Sequence, residues 1–184
     1  EAPHDILSWL GKQSAHLEKQ LLIPLDIYTE NHPVGKWARS ICGLGPIIAA
    51  GLLAHIDIRR CPTAGHIWSF AGLNPTAVWA KGQKRPWNAD LKVLCAFKLG
   101  ECFVKVQNLE SDVYGKVYTK RKLMEIERNA AGLFAEQAAS ALVKNKIGKD
   151  TEAYKAYVQG KLPPAQLHAR ARRYAVKLFL AHLH

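Results

Sequence analysis

The stretch SICGLGPIIAAGLL, residues 40–53, leaves this chain few ways to fold. It sets two glycines one residue apart before a proline and then an apolar run. A flexible linker would not stop so abruptly at a helix-forming segment, and a buried strand does not normally open with Gly-x-Gly-Pro. The pattern predicts a short helix KWARSI, a tight hairpin CGLG and a second helix beginning at Pro46, that is, a helix-hairpin-helix unit over residues 36–55. Gly43 and Gly45 give the hairpin backbone angles closed to other residues. Leu44 points inward and locks the two helices together. Pro46 occupies the first helical position, where its missing N–H does no harm, and Ile47, Ile48, Leu52 and Leu53 supply the packing face.

The rest of the chain also reads as helices. Leu10, Leu17, Leu21 and Tyr28 recur at helical spacing, with Asp5 as a start signal and Pro24 as a kink or break. This first segment is a packing helix or the end of a coiled coil, and NHPVG turns the chain after it. Pro62 restarts a short helix that Gly72 ends, and LNPTAVWAKGQKRPW is a loop with an extended piece around Val78. Asn88 caps a helix whose Leu91, Leu94, Cys95, Lys98 and Cys102 fall at three- and four-residue steps. One long segment spans Ser111 to Lys146, and Gly148 closes it. A short helix follows from Asp150 or Thr151 to Gly160, and a final helix runs from Pro163-Pro164 to the end. The expected fold is all-α, with long flanking helices around the helix-hairpin-helix motif. It divides into an N-terminal helix at 1–32, with a candidate homodimer seam, and a helical DNA-binding domain at 33–184.

Composition narrows the function. With 184 residues, 48% apolar and 22% charged, the chain can bury a core and is no disordered tail. Lys and Arg number 26 against 15 Asp and Glu, a formal charge of +11. An excess of this kind on one domain points to an acidic partner, most often nucleic acid, although a basic solvated surface gives the same count. Cys42, Cys61, Cys95 and Cys102 show no zinc-type spacing and read as reduced core residues; no metal site is expected. No stretch reaches the length of a membrane span and no signal peptide is recognisable, so no membrane partner and a cytoplasmic setting are expected. The chain begins at Glu1 with no Met, as a piece of a longer protein would.

Three places could hold phosphates. At the hairpin, the backbone N–H groups around Gly43, Leu44, Gly45 and Ile47 open a helix whose dipole favours an anion. A bare hairpin that only packs closely is the plainer reading of the same glycines. The loop WAKGQKRPWN sets Lys81, Lys84 and Arg85 between Trp79 and Trp87, which could stack on bases or simply anchor the loop. Lys92 follows on the next helix. The C-terminal helix carries Arg170, Arg172, Arg173 and Lys177, either a phosphate patch or a solvated basic face. His182 and His184 have no recognisable metal partners.

GLGPIIAAGLLAHI, then AGHIWSFAGLNP, then the basic loop and NADLK together resemble the C-terminal transposase domain of the DEDD-type insertion-sequence transposases guided by a bridge RNA. The resemblance covers residues 37–108 best, and the Ala71 to Pro75 step makes it more specific than a helix-hairpin-helix alone. It implies a role in DNA transposition or recombination, with duplex DNA and a structured guide RNA as partners. The family's magnesium-binding carboxylates belong to an N-terminal RuvC-like domain with no counterpart in this sequence, and a coiled coil leads from it, to whose tail the first helix would correspond. The family's serine nucleophile follows the Gly-Leu-x-Pro step. Here Thr76 to Ala80 hold no serine, and Thr76 is the candidate hydroxyl. The leading expectation is therefore a DNA-binding domain that grips duplex phosphates without reading bases and needs no cofactor. The alternatives are an active recombinase or nuclease using Thr76 or an unrecognised acidic set with a divalent metal such as magnesium, and an RNA-binding module.

Overall fold

The structure, a computed structural model, describes residues 3–184. Every regular element among them is helical: α1 (Pro3–Glu30), α2 (Pro33–Ser40), α3 (Pro46–His55), α4 (Ala64–Phe70), α5 (Ala89–Val93), α6 (Gly100–Val106), α7 (Tyr114–Ala130), α8 (Ala135–Lys144), α9 (Glu152–Val158) and α10 (Pro164–Leu183). A π-helical turn, Leu94–Leu99, joins α5 to α6, and a 3₁₀ turn, Ile58–Arg60, follows α3. The fold is all-α.

Punctuating residues set most boundaries. Asn88 Oδ1 accepts from the Leu91 N–H at 2.9 Å and Thr151 Oγ1 from the Tyr154 N–H at 3.2 Å, so both cap the helices expected of them. Gly72 and Gly160, with φ of +64° and +70°, end α4 and α9 as expected. In each case the residue after the glycine donates back to the preceding helix, Leu73 to the Trp68 carbonyl and Lys161 to the Ala156 carbonyl.

The structure differs at four boundaries. Pro24 lies within α1 without ending it, because a proline removes one hydrogen bond and the rest of a 28-residue helix is intact. α2 begins at Pro33, not Lys36: His32 Nδ1 accepts from the Gly35 N–H, and Pro33 takes the first helical position. The segment from Ser111 to Lys146 is two helices, broken at Gly132 (φ +75°), where the Leu133 N–H donates to the Arg128 carbonyl. α8 stops at Lys144, short of Gly148.

The main core gathers Leu44, Leu52, Ile67, Leu91, Leu99, Phe103, Tyr114 and Tyr118 around α10, which contributes Ala171, Ala175, Val176, Phe179, Leu180 and Leu183. Phe103, Tyr114 and Phe179 meet with ring centroids 5.0 to 5.6 Å apart. A second cluster, Phe134, Ala138, Tyr157, Leu162 and Leu167, packs α8 and α9 against the start of α10. Asn129 ties it to α7 with two buried bonds, its amide donating to the Leu162 carbonyl at 3.0 Å and its oxygen accepting from the Leu162 N–H at 2.8 Å. α1 touches the body only near its C-terminal end, where Asp26 pairs with Arg39 at 2.6 Å and Thr29 is buried. Its remaining length is exposed, including Leu7, Leu10, Leu17 and Leu21, and Tyr28 is exposed within the contacting end.

Candidate nucleic-acid interface

α2 and α3 are joined by the turn Ile41 to Gly45, and its two glycines do different things. Gly43 adopts φ +86°, and a Cβ there would come within 2.9 Å of Val106 Cγ1 on α6. Conformation and packing both require glycine at this position. Gly45, the N-cap of α3, has φ −92° and ψ 172°, an extended conformation open to any residue, and a Cβ there would meet nothing within 4 Å. The expectation that both glycines hold special angles is therefore corrected at Gly45. Neither backbone strain nor packing requires the bareness of Gly45.

The donors beside it are free. α3 opens with no side-chain cap, and the Ala49 N–H is the first to find a partner, the Gly45 carbonyl at 3.1 Å. Among the described residues, the N–H groups of Gly45, Ile47 and Ile48 have no acceptor. They point out of the positive end of a ten-residue helix. Ile47 is 61% exposed, while Leu44 is buried as expected and occupied on both sides, its N–H donating to the Ile41 carbonyl and its carbonyl accepting from Arg39. Of the expected hairpin contacts, Gly45 and Ile47 face outward and Leu44 serves the core.

A groove of about 720 Å³ runs beside this turn, lined by Leu22, Gly45, Ile47, Leu94, Lys98 and Lys105, with Glu101 between the two lysines. Lys98 and Lys105 are exposed and have no carboxylate partner among the described residues. In sequence, Lys98 reads only as part of a helical pattern and Lys105 carries no signal of its own. Their seven-residue spacing is visible there, but not that the π turn brings them alongside the hairpin.

The loop from Asn74 to Trp87 is exposed, with Lys81, Lys84 and Arg85 at its tip. Its tryptophans are engaged in holding it: Trp79 Nε1 donates to the Gln83 carbonyl at 2.7 Å with Arg85 over its ring at 5.2 Å, and Lys92 lies 4.2 Å over Trp87. At the root of the loop Thr76 Oγ1 donates to Asn74 Oδ1 at 2.8 Å. An amide oxygen cannot take the hydroxyl proton as a base would, so nothing in this geometry activates Thr76 as a nucleophile.

The C-terminal cations divide sharply. Arg170 donates to Glu125 Oε2 at 2.9 Å, and Arg121 holds Glu125 Oε1 at 2.8 Å. Burial pushes the Glu125 carboxyl up, but the bonds and charges of Arg170 and then Arg121 outweigh it and hold the group below the ordinary glutamate range. Arg172 is paired with Glu101 and lies over Phe97. Arg170 and Arg172 thus spend their charge within the fold. Arg173 and Lys177 have no carboxylate partner among the described residues. His182 bonds the Tyr114 hydroxyl and His184 donates to the Cys61 carbonyl, each at 2.8 Å. Among the described residues no group of three or more His, Cys, Asp or Glu is placed to hold a metal, and all four cysteines are free.

The turn, the elements around it and the basic loop together coincide with a recognised family segment. Residues 36–85 match the transposase IS116/IS110/IS902 family. The match makes this segment similar to that family. It runs from Lys36 in the middle of α2 to Arg85 in the basic loop, less than half of the chain, and leaves Lys98, Lys105 and all of α10 outside. No curated protein and no solved structure matches the chain. Among the described residues no helix is long and apolar enough to cross a membrane.

Proposed function

We propose that this chain is the DNA-binding domain of a transposase-like protein, and that its helix-hairpin-helix grips the phosphates of a duplex without reading the bases. The Gly45, Ile47 and Ile48 N–H groups receive one phosphate at the opening of α3. Lys98 and Lys105 flank the neighbouring groove, and the tip of the loop with Lys81, Lys84 and Arg85 adds further backbone contacts. The carrying observation is the opening of α3, where the Gly45, Ile47 and Ile48 N–H groups have no acceptor among the described residues and no Cβ at Gly45 stands in front of them. A binding titration of duplex DNA at several salt concentrations tests this. Affinity should fall steeply with salt and should weaken in Gly45→Val; salt-independent binding, or an unaffected variant, would overturn the reading.

The exposed apolar stripe of α1 favours one addition. Leu7, Leu10, Leu17, Leu21 and Tyr28 lie on one face at steps of three, seven, four and seven residues, the spacing of a coiled-coil seam, and none of them is covered. We propose that a second copy of this chain pairs along it. Catalysis with Thr76 and magnesium, and guide-RNA stacking on Trp79, lack comparable support: Thr76 faces an amide, and the Trp79 ring is already under Arg85.

A further inference from the structure

Arg173 and Lys177 stand one turn apart on α10 and line the same cleft, of about 250 Å³, whose opposite wall is Leu73 and Pro75 at the root of the basic loop. Arg121, Arg170 and Glu125 complete its charged lining, so four cations face one carboxylate. Both Glu125 oxygens are taken, one by Arg121 and one by Arg170. No other acid lines the cleft. Arg173 and Lys177 are left without a counter-charge among cations: burial and then Arg170 and Arg172 hold the Arg173 guanidinium low, and burial and then Arg173 hold the Lys177 ammonium low. Charge gathered in this way against its own repulsion is what an anion would relieve.

We propose that Arg173 and Lys177 form a second phosphate site, separate from the hairpin, that takes a backbone phosphate of the nucleic acid strand against the Leu73–Pro75 turn. The cleft is smaller than the roughly 300–1,000 Å³ of pockets that enclose whole small molecules, which suits a single charged group and not a nucleoside. A guanidinium fork beside an ammonium is the pairing that meets a tetrahedral oxyanion, one donor in plane and one as a point charge. Lys177 is held in place from below, with its ammonium 4.9 Å over the Trp68 ring while Trp68 Nε1 donates to the Lys177 carbonyl at 3.0 Å. The site also lies where the matched family segment meets a helix outside it, so that a strand seated there passes the base of the Lys81 to Arg85 loop.

This inference rests on the reading that the chain binds nucleic acid, and the test separates the two. Duplex DNA binding is measured across a salt series for the unmodified chain, Arg173→Gln with Lys177→Gln, the charge-preserving Arg173→Lys with Lys177→Arg, and Gly45→Val, each checked for unchanged helicity. Inorganic phosphate is titrated calorimetrically into the first two. The glutamine pair should bind duplex about tenfold more weakly, with a salt slope lowered by about 1 for each phosphate no longer neutralised, while the charge-preserving pair keeps most of its affinity. Phosphate should bind the unmodified chain and not the glutamine pair. If Gly45→Val weakens duplex binding and the glutamine pair does not, the hairpin reading stands and this site is overturned. If only the glutamine pair weakens it, this site stands and the hairpin reading fails. Phosphate uptake that depends on these two residues while duplex affinity does not would make the ligand a free anion and overturn the assignment to a strand.

Discussion

Gly43 lies against Val106 so closely that a single added carbon would sit 2.9 Å from its Cγ1, while Gly45, two residues on, borders open space. Substitutions at the two glycines should therefore separate folding from binding. Gly43→Ala forces a side chain into a left-handed conformation and a filled contact, and should destabilise the domain by about 1–3 kcal/mol. Gly45→Ala should leave stability within about 0.5 kcal/mol and weaken duplex binding about tenfold, the worth of one hydrogen bond to a charged group. Urea unfolding and a binding titration of each variant give the comparison.

Glu125 is fully buried between two arginines, so its loss should be felt throughout α7 and α10. Glu125→Ala leaves Arg121 and Arg170 facing each other without a counter-charge. The expected destabilisation is toward the low end of roughly 3–5 kcal/mol, because both guanidiniums still reach solvent.

The same carboxyl sets an acid limit. A group held below its ordinary value in the folded state adds stability above its unfolded pKa and loses it as pH falls through the folded one. Unfolding of the native chain and of Glu125→Gln, followed from neutral pH downward, should show a stability gap that is constant near neutrality and shrinks below about pH 4.

Thiol labelling should rank the four cysteines by their surroundings. Burial pushes the Cys95 thiol up to about 12, so at neutral pH it is neither ionised nor reachable. Cys42 and Cys102 are half-buried beside the hairpin groove and should be modified first, and Cys95 only when the domain unfolds. Early modification of Cys95 would contradict the packing of the π turn.

Paired substitution of Leu17 and Leu21 by glutamate should not lower the unfolding midpoint at concentrations where the chain is a monomer, because both side chains are then exposed. If α1 is a pairing seam, sedimentation should show the unmodified chain shifting toward a dimer with concentration and the variant remaining monomeric. A monomeric unmodified chain at high concentration would remove that proposal.

Much of this architecture is legible in residues whose effect is local. Asn88, Thr151, Gly72, Gly160 and Pro164 act within one helical turn of themselves, and each stands where its type predicts. Gly132 gives no such signal, because Leu133 and Phe134 continue the apolar spacing of the segment before it; the break is made by backbone bonds, and Leu133 ends up exposed. The charged residues are harder to read. Arg170 and Arg172 look like free cations in sequence because their partners, Glu125 and Glu101, lie 45 and 71 positions earlier. The converse holds at Lys98 and Lys105, since a wider π turn changes which face of a helix its later residues occupy, and no propensity announces it.

The last two turns of α10 supply Val176, Phe179, Leu180 and Leu183, which complete the packing of Phe103, Tyr114 and Leu52. While a ribosome still holds these residues, the earlier helices would carry an open, greasy cleft, and a nascent chain in that condition is the one most exposed to chaperones and to clumping. Domain closure waits until residue 183 has left the ribosome.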